Sequence, residues 1–571
     1  MKLSDYVAQV IKKLDINCVF GLQGGAVVHI FDSIERNGTE VLYTHHEQAA
    51  SLAAGAYAKI NNTMGCVVVT SGPGATNAIT GLLAAWQDSI PCLFISGQVR
   101  SDQLSYGKKI RQVGTQEVNI IDIVRPITKY SKCIFTPDEV ENTFKNAIFH
   151  ANNERPGPVW IDIPVDLQWQ NITFDPNKIF NAINDEKKMS SKLLFKKSVN
   201  LINASKKPLF ILGYGLRLAD KQKNIIKFLE KHLLPFVTTW TAADFTNTDN
   251  PLNMGIIGMS GQRGANKAIF EADLLICLGT HLCAPQTTTL FKSYAPNAKK
   301  IIVNIDKEQL KNLNISFDLK INADLKEYIN YLDISEVNVK SLWSNISKFK
   351  NDNWYKLKKT KFVNSYDFIR KFSLNNIKDC CYIVDGGGTA LYAGFQSTLL
   401  KKNDRILCSS AISAMGTGLA ESIGAFKTKK YKDHICIIGD GSFIMNIQDL
   451  QTIYQESINI KILVINNNGY QAIRNTQNEF LEGRLFGTHP DWNLKMPSIE
   501  KITKGFQINY MKVDRPEVVD DAIKEINDIN GPLVVEIIID ENQKPLFKQK
   551  FTKNIDGTFT PHDLSEMICD D

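Results

Sequence analysis

Two oxygen-bearing side chains follow neighbouring apolar runs in the last third of the chain. Asp440 comes after a run that begins at Ile435, and Asn467 comes after the next such run. Because the carboxyl ends of parallel strands meet at one edge of a sheet, we expect the two side chains to lie close together. A carboxylate, an amide carbonyl and a backbone carbonyl are ligands that suit Mg²⁺. The turn at Gly441 and Ser442 can offer N–H and hydroxyl groups to a phosphate, so the segment predicts a magnesium and phosphate site.

The elements that would position this site recur along the whole chain. Short β-branched runs, such as those at 66–70 and 159–163, alternate with helical patterns. This alternation indicates parallel sheets covered by helices on both faces. Polar stretches near 170–195 and 335–365 interrupt the pattern. We therefore predict three doubly wound α/β domains at 1–170, 190–335 and 360–550, followed by a C-terminal tail at 551–571.

Composition excludes several classes of function. The chain has 571 residues, and its net charge of +6 arises from 66 basic and 60 acidic residues spread along it. Nucleic-acid binding needs a concentrated basic face, so none is predicted. No stretch has the roughly 18 apolar residues that a membrane span requires, and the N-terminus lacks the apolar core of a signal peptide. Eleven cysteines without a framework spacing predict thiols in a reducing compartment, and we expect a cytoplasmic protein.

The segment GDGSFIMNIQDL at 439–450, followed by VINNNGY at 464–470, resembles the signature of the thiamine-diphosphate-dependent enzymes. The amino-acid sequence of these segments is most similar to that of acetolactate synthase. Further segments are similar to that family in the same order, namely FGLQGGA at 20–26, HEQ at 46–48, TSGPGATN at 70–77 and RPGPV at 155–159. The resemblance covers nearly the whole chain. It implies a first domain that binds the cofactor's pyrimidine, a middle Rossmann-like domain and a third domain that binds the diphosphate.

Roles for individual residues follow from the resemblance. The Mg²⁺ ligands would be Asp440, Asn467 and the backbone carbonyl of Gly469. Diphosphate contacts would come from Gly388, Thr389, Gly441 and Ser442. Further cofactor contacts would be the carbonyl of Ser413 to the 4′-amino group, the side chain of Met415 as an apolar wedge, and Thr70 and Asn77 of the first domain.

The resemblance also implies where catalysis takes place. Glu47 would face the pyrimidine N1′ and promote the 4′-imino tautomer, which removes the reactive ring proton. Gly25 would approach the reacting centre through its backbone, where a Cβ would clash. Gln98 and Gln116 would donate hydrogen bonds to substrate oxygens. Because the family's site lies between subunits, a homodimer or homotetramer is implied.

Two departures from acetolactate synthase concern the acceptor. Thr115 replaces a phenylalanine of the family, and Thr476 replaces a tryptophan that favours a 2-oxo acid acceptor. The loss of two aromatic side chains opens the pocket and adds hydroxyls. Together with Arg484, which is available for a phosphate, these changes favour a larger acceptor. The main prediction is a carboligase that decarboxylates a 2-oxo acid, with pyruvate as the expected donor. It would transfer the acyl carbanion to a ketone such as a 4-keto-deoxysugar nucleotide, building a branched-chain sugar.

Alternatives to this function stay open. One is a true acetolactate synthase of branched-chain amino-acid synthesis, and another is a simple 2-oxo acid decarboxylase or oxidase. A hydrolase of the same superfamily and a catalytically inactive homologue are two more. The presence of Glu47, Asp440 and Asn467 together argues against the inactive homologue.

The middle domain raises the question of FAD. Acetolactate synthases carry FAD there, contacted by arginines in a run similar to Gly-Ala-Arg-Phe-Asp-Asp-Arg. This chain has GTHLCAP at 279–285, without either arginine. Arg155, Gly213 and Gly215 remain as possible contacts, so the sequence leaves FAD open.

Overall fold

The computed structural model describes residues 1–180, 192–354, 360–376 and 379–569. These residues form three six-stranded sheets, each entirely parallel, with helices between the strands. This architecture confirms the predicted fold class. Within the described residues no helix is long and apolar enough to cross a membrane. The domain boundaries stay predictions, and residues 181–191 of the first predicted polar break lie outside the described part of the chain.

The first sheet is buried on both faces. Its strands are β1 (Cys18–Gly21), β2 (Glu40–Tyr43), β3 (Gly65–Val69), β4 (Cys92–Gln98), β5 (Tyr130–Cys133) and β6 (Val159–Pro164). Its helices are α1 (Leu3–Lys13), α2 (Val28–Arg36), α3 (Glu47–Asn61), α4 (Pro73–Asn77), α5 (Ile79–Gln87), α6 (Ile120–Val124), α7 (Val140–Asn152) and α8 (Val165–Gln168). Phe20 and Phe94 enter one apolar layer, whereas Val19 and Ile95 enter the opposite one. Because strand side chains alternate in direction, a continuous apolar run fills both layers.

The middle sheet has its own strand order. Its strands are β7 (Pro208–Leu212), β8 (Phe236–Thr238), β9 (Asn253–Ile256), β10 (Leu274–Leu278), β11 (Lys299–Asn304) and β12 (Leu319–Asn322). Its helices are α9 (Lys192–Ala204), α10 (Gly215–Leu218), α11 (Gln222–His232), α12 (Arg263–Glu271), α13 (Ala284–Thr287), α14 (Lys307–Lys311), α15 (Leu325–Ile334) and α16 (Ile346–Asp352). The order β9-β8-β7-β10-β11-β12 is that of the Rossmann fold, and it reverses direction between β7 and β10.

The third sheet repeats the strand order of the first. Its strands are β13 (Cys380–Val384), β14 (Arg405–Leu407), β15 (Asp433–Gly439), β16 (Ile460–Asn466), β17 (Asn509–Val513) and β18 (Leu533–Ile538), and the tail adds the antiparallel pair β19 (Phe551–Lys553) and β20 (Phe559–Pro561). Its helices are α17 (Ser365–Asn375), α18 (Gly388–Ser397), α19 (Thr417–Lys427), α20 (Asp440–Phe443), α21 (Leu450–Gln455), α22 (Gln471–Phe480), α23 (Ile499–Gly505) and α24 (Val519–Asp528). The first sheet runs β2-β1-β3-β4-β6-β5 and the third β14-β13-β15-β16-β18-β17. Direction therefore reverses between β1 and β3 and between β13 and β15, where ligands of such sheets bind.

The first and third domains share a core. One apolar cluster contains Phe20 and Ala53 of the first domain together with Leu419 and Ile423 of the third. Helices α3 and α19 cross within it, and a Cβ added to Gly424 would come within 1.9 Å of the Ala53 carbonyl oxygen. Glycine at this crossing is what allows the two backbones to approach so closely.

Candidate active site

The predicted metal ligands lie at the carboxyl ends of adjacent strands. Asp440 directly follows β15, and Asn467 directly follows β16. The Asp440 carboxylate accepts hydrogen bonds from the backbone N–H of Gly441 and of Gly469, each at 2.8 Å. Burial raises the pKa of Asp440 to about 6, against these hydrogen bonds, which lower it. A cation placed here would favour the ionised carboxylate.

Asn467 supplies the observation that tests the site for a metal. Its Nδ2 donates to Thr389 Oγ1 at 3.1 Å and to Gln471 Oε1 at 3.0 Å. These two bonds fix the amide so that Oδ1 is the free end. Asn467 is 1% exposed, and no described residue donates a hydrogen bond to its Oδ1. A buried oxygen without a donor needs a partner, and a hard cation is one, so the residues present fit Mg²⁺.

Gly469 and Arg474 complete the turn after β16. Gly469 has a φ of +125°, which L side chains rarely adopt, and its carbonyl accepts the N–H of Gln471 with one lone pair left. Buried Arg474 donates to the carbonyls of Asn467 at 2.6 Å and Asn468 at 3.1 Å. Sequence reasoning missed Arg474 as a support of the turn, because only the fold places its helix beneath the turn.

The predicted diphosphate residues flank the point where the third sheet reverses direction. Gly388 and Thr389 open α18 after β13, whereas Gly441 and Ser442 lie in α20 after β15. A Cβ on Gly441 would meet the Tyr470 ring at 2.4 Å, so glycine is required there by packing.

Asp385, which the sequence analysis missed, ties these loops together. Its buried carboxylate accepts the N–H of Gly387 at 2.8 Å and of Gly418 at 3.0 Å, and it also contacts the Ser442 hydroxyl. Burial raises the pKa of Asp385, and these hydrogen bonds oppose the rise. An acidic residue directly after a buried strand was the available signal, the same signal that identified Asp440.

Ser413 and Met415 lie in the segment 408–416 between β14 and α19. Ser413 is exposed with a φ of +48°, and its hydroxyl donates to the Ser410 carbonyl at 2.8 Å. Met415 is half-buried beside Gly416, whose φ is +84°. The predicted wedge is therefore presented by a turn that α19 follows directly.

The first-domain site residues cluster where that sheet reverses direction. Glu47 is the first residue of α3, is 7% exposed, and accepts a hydrogen bond from Asn77 Nδ2 at 3.0 Å. Thr70 follows β3, and its hydroxyl accepts the N–H of Ala26 at 3.3 Å. Gly25 lies beside this contact but is exposed, and a Cβ added there meets nothing within 4 Å. The described part of the chain itself thus leaves room for a Cβ at Gly25, and the predicted clash with the reacting centre stays a prediction.

The Gln98 amide, predicted to donate to a substrate oxygen, is already engaged by the first domain. The side chain is fully buried, and Nε2 donates to the Val118 carbonyl at 2.8 Å and to Asp162 Oδ2 at 2.9 Å. Both amide hydrogens are thereby used, which leaves none for a substrate. Asp162 also accepts from Ser96 Oγ at 2.6 Å, and burial raises its pKa to about 7. Gln98 thereby links Asp162 to Val118, two residues beyond Gln116.

The predicted acceptor residues are exposed and lie in different domains. Thr115 and Gln116 are exposed in the first domain, with Gln116 (φ +65°) packed against Gly72. Thr476 is exposed on α22 of the third domain, where its hydroxyl donates to the Ala472 carbonyl. Arg484 is 58% exposed and lies 3.5 Å from Glu482. Among the described residues, no hydrogen bond or ion pair joins the first-domain set to the third-domain set.

A cavity of about 1100 Å³ lies where the three domains meet. Arg155 lines it but already donates to Ser89 Oγ at 2.7 Å and to Asp306 at 3.1 Å. Gly213 and Gly215 follow β7, and a Cβ on either would meet Gly279 within 2.4–2.7 Å. Packing between these two loops therefore accounts for the glycines.

Comparisons with known proteins agree with this geometry. Three models of the thiamine pyrophosphate enzyme family match the chain. The N-terminal TPP binding domain matches residues 1–123, the central domain matches 195–332, and the C-terminal TPP binding domain matches 386–537. The acetolactate synthase large subunit of Haemophilus influenzae is 30% identical over 554 residues, which is 95% of both chains. That of Buchnera aphidicola is 31% identical, covering 92% of this chain and 93% of its own length. A probable acetolactate synthase large subunit of Methanocaldococcus jannaschii is 29% identical, covering 95% of this chain and 92% of its own length.

Proposed function

We propose that this chain, which belongs to the thiamine pyrophosphate enzyme family, is a Mg²⁺-dependent carboligase of the acetolactate synthase type. In this reaction one 2-oxo acid, pyruvate, loses CO₂ and its remaining acyl carbon forms a bond to the ketone of a second 2-oxo acid. The observation that carries the proposal is the buried, unpartnered Oδ1 of Asn467 beside Asp440. Relatives that cover nearly the whole chain carry the name of this activity.

The proposed site divides its work between the two outer domains. Asp440, Asn467 and the Gly469 carbonyl would hold Mg²⁺, while Thr389 and Ser442 would contact the diphosphate. When bound, thiamine diphosphate supplies the electron sink for decarboxylation and bond formation. Glu47 would share a proton with the pyrimidine N1′, and the Asn77 amide, which donates to Glu47 Oε2, would keep the carboxyl oriented towards it.

The acceptor is where this proposal departs from the main sequence prediction. The names of the relatives favour the alternative, a 2-oxo acid acceptor, over a keto-deoxysugar nucleotide. The sugar acceptor stays as a second candidate on one observation: Thr115, Thr476 and Arg484 are exposed and carry no bulky aromatic ring.

One assay separates these functions. Purified protein is incubated with pyruvate, thiamine diphosphate and Mg²⁺, with and without a 4-keto-deoxysugar nucleotide, and acetolactate, acetaldehyde and branched sugar are each quantified. We expect acetolactate from pyruvate alone. Acetaldehyde as the main product would indicate a decarboxylase, and pyruvate consumption only with the nucleotide would move the proposal to the sugar acceptor.

We also propose that two copies of the chain build each site, since Glu47 and Asp440 lie in different domains and no hydrogen bond or ion pair among the described residues joins them within one chain. Glu47→Gln and Asp440→Asn variants, each inactive alone, should regain activity when refolded together. One site of each mixed dimer would then carry both unaltered residues. Failure of the mixture to regain activity, with mixed dimers shown to be present, would contradict the shared site.

The cavity between the domains fits a nucleotide in volume and donor set. Arg155 would face a phosphate, and the carboxylates of Asp306 and Asp324, which line the cavity, would face ribose hydroxyls. We propose FAD as its ligand, a structural group with no part in the steps above. The visible absorbance spectrum of the purified protein tests this directly, and a protein without flavin bands that takes up no added FAD would remove FAD from the proposal.

A further inference from the structure

Lys59 is a buried cation near the end of α3, twelve residues from Glu47. Its side chain is 6% exposed, and Nζ lies 2.9 Å from Asp88 Oδ2 and 3.1 Å from Glu421 Oε1. Nζ also donates to Ser409 Oγ at 3.2 Å and to the Cys408 carbonyl at 3.3 Å. Burial disfavours its charge, but the two carboxylates outweigh burial and raise the pKa of Lys59, so the ammonium stays charged.

All of these contacts except Asp88 lie in the third domain, around the segment 408–416. The Ser409 hydroxyl donates to Glu421 at 2.7 Å, and the Ser409 carbonyl accepts the N–H of Ser413 at 3.0 Å. Asp88 reaches the same segment with its other oxygen, which accepts the Ala411 N–H at 3.3 Å. Two first-domain side chains thus hold the segment that presents Ser413 and Met415.

We infer that Lys59 and Asp88 are positioning residues for the cofactor segment 408–416 of their own chain, a role that rests on the function proposed above. The helix α3 then contributes a functional residue near each of its ends. Glu47 and Lys59 are about 18 Å apart along it, at 1.5 Å per residue. In the proposed two-chain site, Glu47 serves the partner's third domain while Lys59 serves its own, so one rigid helix connects the two sites.

The chain contains a matched control for this inference. Lys427, near the end of α19, is 8% exposed and pairs with Glu456 of its own domain at 2.7 Å and with Glu40 of the first domain at 2.5 Å. Like Lys59, it lies between two carboxylates at the interface of the first and third domains, although these carboxylates are 41% and 27% exposed against 7% and 1% around Lys59. Lys427 has no described contact with the segment 408–416, so it reports the general effect of losing an ion pair between the domains.

The test compares two double variants that each remove one lysine and one carboxylate. Lys59→Met with Glu421→Gln, and Lys427→Met with Glu456→Gln, both avoid leaving two unpaired carboxylates in the interior. In the protein without cofactor, backbone hydrogen exchange of 409–413 should accelerate roughly tenfold or more in the Lys59 pair only. The dissociation constant for thiamine diphosphate with Mg²⁺ should rise by a similar factor, again only in that pair. Lys59→Arg should restore most of both properties, because it keeps the charge and the donors.

Each outcome of this comparison either supports or overturns the inference about Lys59 and Asp88. Equal acceleration in both double variants, or none in either, would overturn the inference and leave Lys59 as a general domain contact. If the double variant Lys59→Met with Glu421→Gln does not fold, Asp88→Ala is measured instead, because it removes the acceptor of the Ala411 N–H. Unchanged hydrogen exchange at 411–413 in Asp88→Ala would overturn the inference. The exchange readout needs no turnover, so failure of the carboligase assay with altered exchange would reject the proposed function alone.

Discussion

The first and third domains share one strand order but contribute different chemical groups to the proposed site. Both sheets reverse direction between their first and third strands, and in both the candidate site residues follow strands at or next to that point. In the first domain the proposed contribution is a proton-sharing carboxyl, Glu47, at the start of the helix after the second strand. In the third it is a set of fixed oxygens, Asp440 and Asn467, after the central strands. The comparison shows that the fold determines where a site lies, while a few loop residues determine its chemistry.

The loops before the two equivalent helices are also anchored alike. The His45 N–H, before α3, donates to Asp449 of the third domain at 3.1 Å, as the Ala411 N–H, before α19, donates to Asp88 of the first. Each outer domain therefore holds the site loop of the other within one chain. The two loops differ in length, three residues at 44–46 against nine at 408–416. Among the described residues, only the longer loop contacts a buried lysine.

The largest effect should come from the first-domain half. Glu47→Gln keeps size and shape but cannot exchange a proton, so we expect kcat to fall by about 10²–10⁴-fold. Binding of thiamine diphosphate should change little, because the metal and diphosphate ligands lie in the other domain. Steady-state rates and a cofactor titration measure the two separately, with Glu141→Gln, on α7, as the control. A Glu47→Gln variant with normal kcat would remove Glu47 from the chemistry.

The third-domain half should respond in the opposite way. Asn467→Leu removes the unpartnered oxygen, so Mg²⁺-dependent binding of thiamine diphosphate should weaken at least about 100-fold. Asn468→Gly is the neighbouring control, since Asn468 has a φ of +60° that glycine tolerates and its amide contacts Glu541. Chelation of Mg²⁺ should weaken binding by the wild type to the level of Asn467→Leu. Equal cofactor binding by wild type and Asn467→Leu would mean that Oδ1 binds no metal.

A third prediction concerns pH and the buried carboxyl of Asp162. Because burial raises its pKa to about 7 from 3.8, the folded state binds more protons than the unfolded state between these values. Stability should therefore fall as pH rises from about 4 to 7, with a slope of up to about 1.4 kcal/mol per unit from this group. Asp162→Asn should be less stable at low pH and should lose this part of the slope. Thermal midpoints of both proteins across this range measure it, and parallel curves would show that Asp162 titrates normally.

Sequence reasoning reached the three sheets and the strand-end residues for a physical reason. Buried parallel strands are continuous apolar runs, and the polar residue after each run is visible in the sequence, as at Asp440. For Gln98, nothing local shows that its amide donates to Asp162, 64 positions away. Lys59 was missed because its partners come from three separate segments. What escapes the sequence is side-chain pairing between elements that only the tertiary fold brings together.

The smallest effect on activity should come from the proposed acceptor residues, Thr115 in the first domain and Thr476 in the third. Thr115→Phe with Thr476→Trp adds the aromatic surface that the sequence lacks relative to acetolactate synthase. One methylene in a hydrophobic pocket is worth about 1–3 kcal/mol. Although the added rings make the pocket smaller, their apolar surface should raise the preference for 2-oxobutanoate, which has one methylene more than pyruvate, about tenfold, with the donor step unchanged. Competition between the two 2-oxo acids, scored by product ratio, measures this. Each single variant should give part of the effect if Thr115 and Thr476 line one pocket across two chains. An effect confined to one variant would place the other outside the acceptor site and would leave acceptor choice to a single domain.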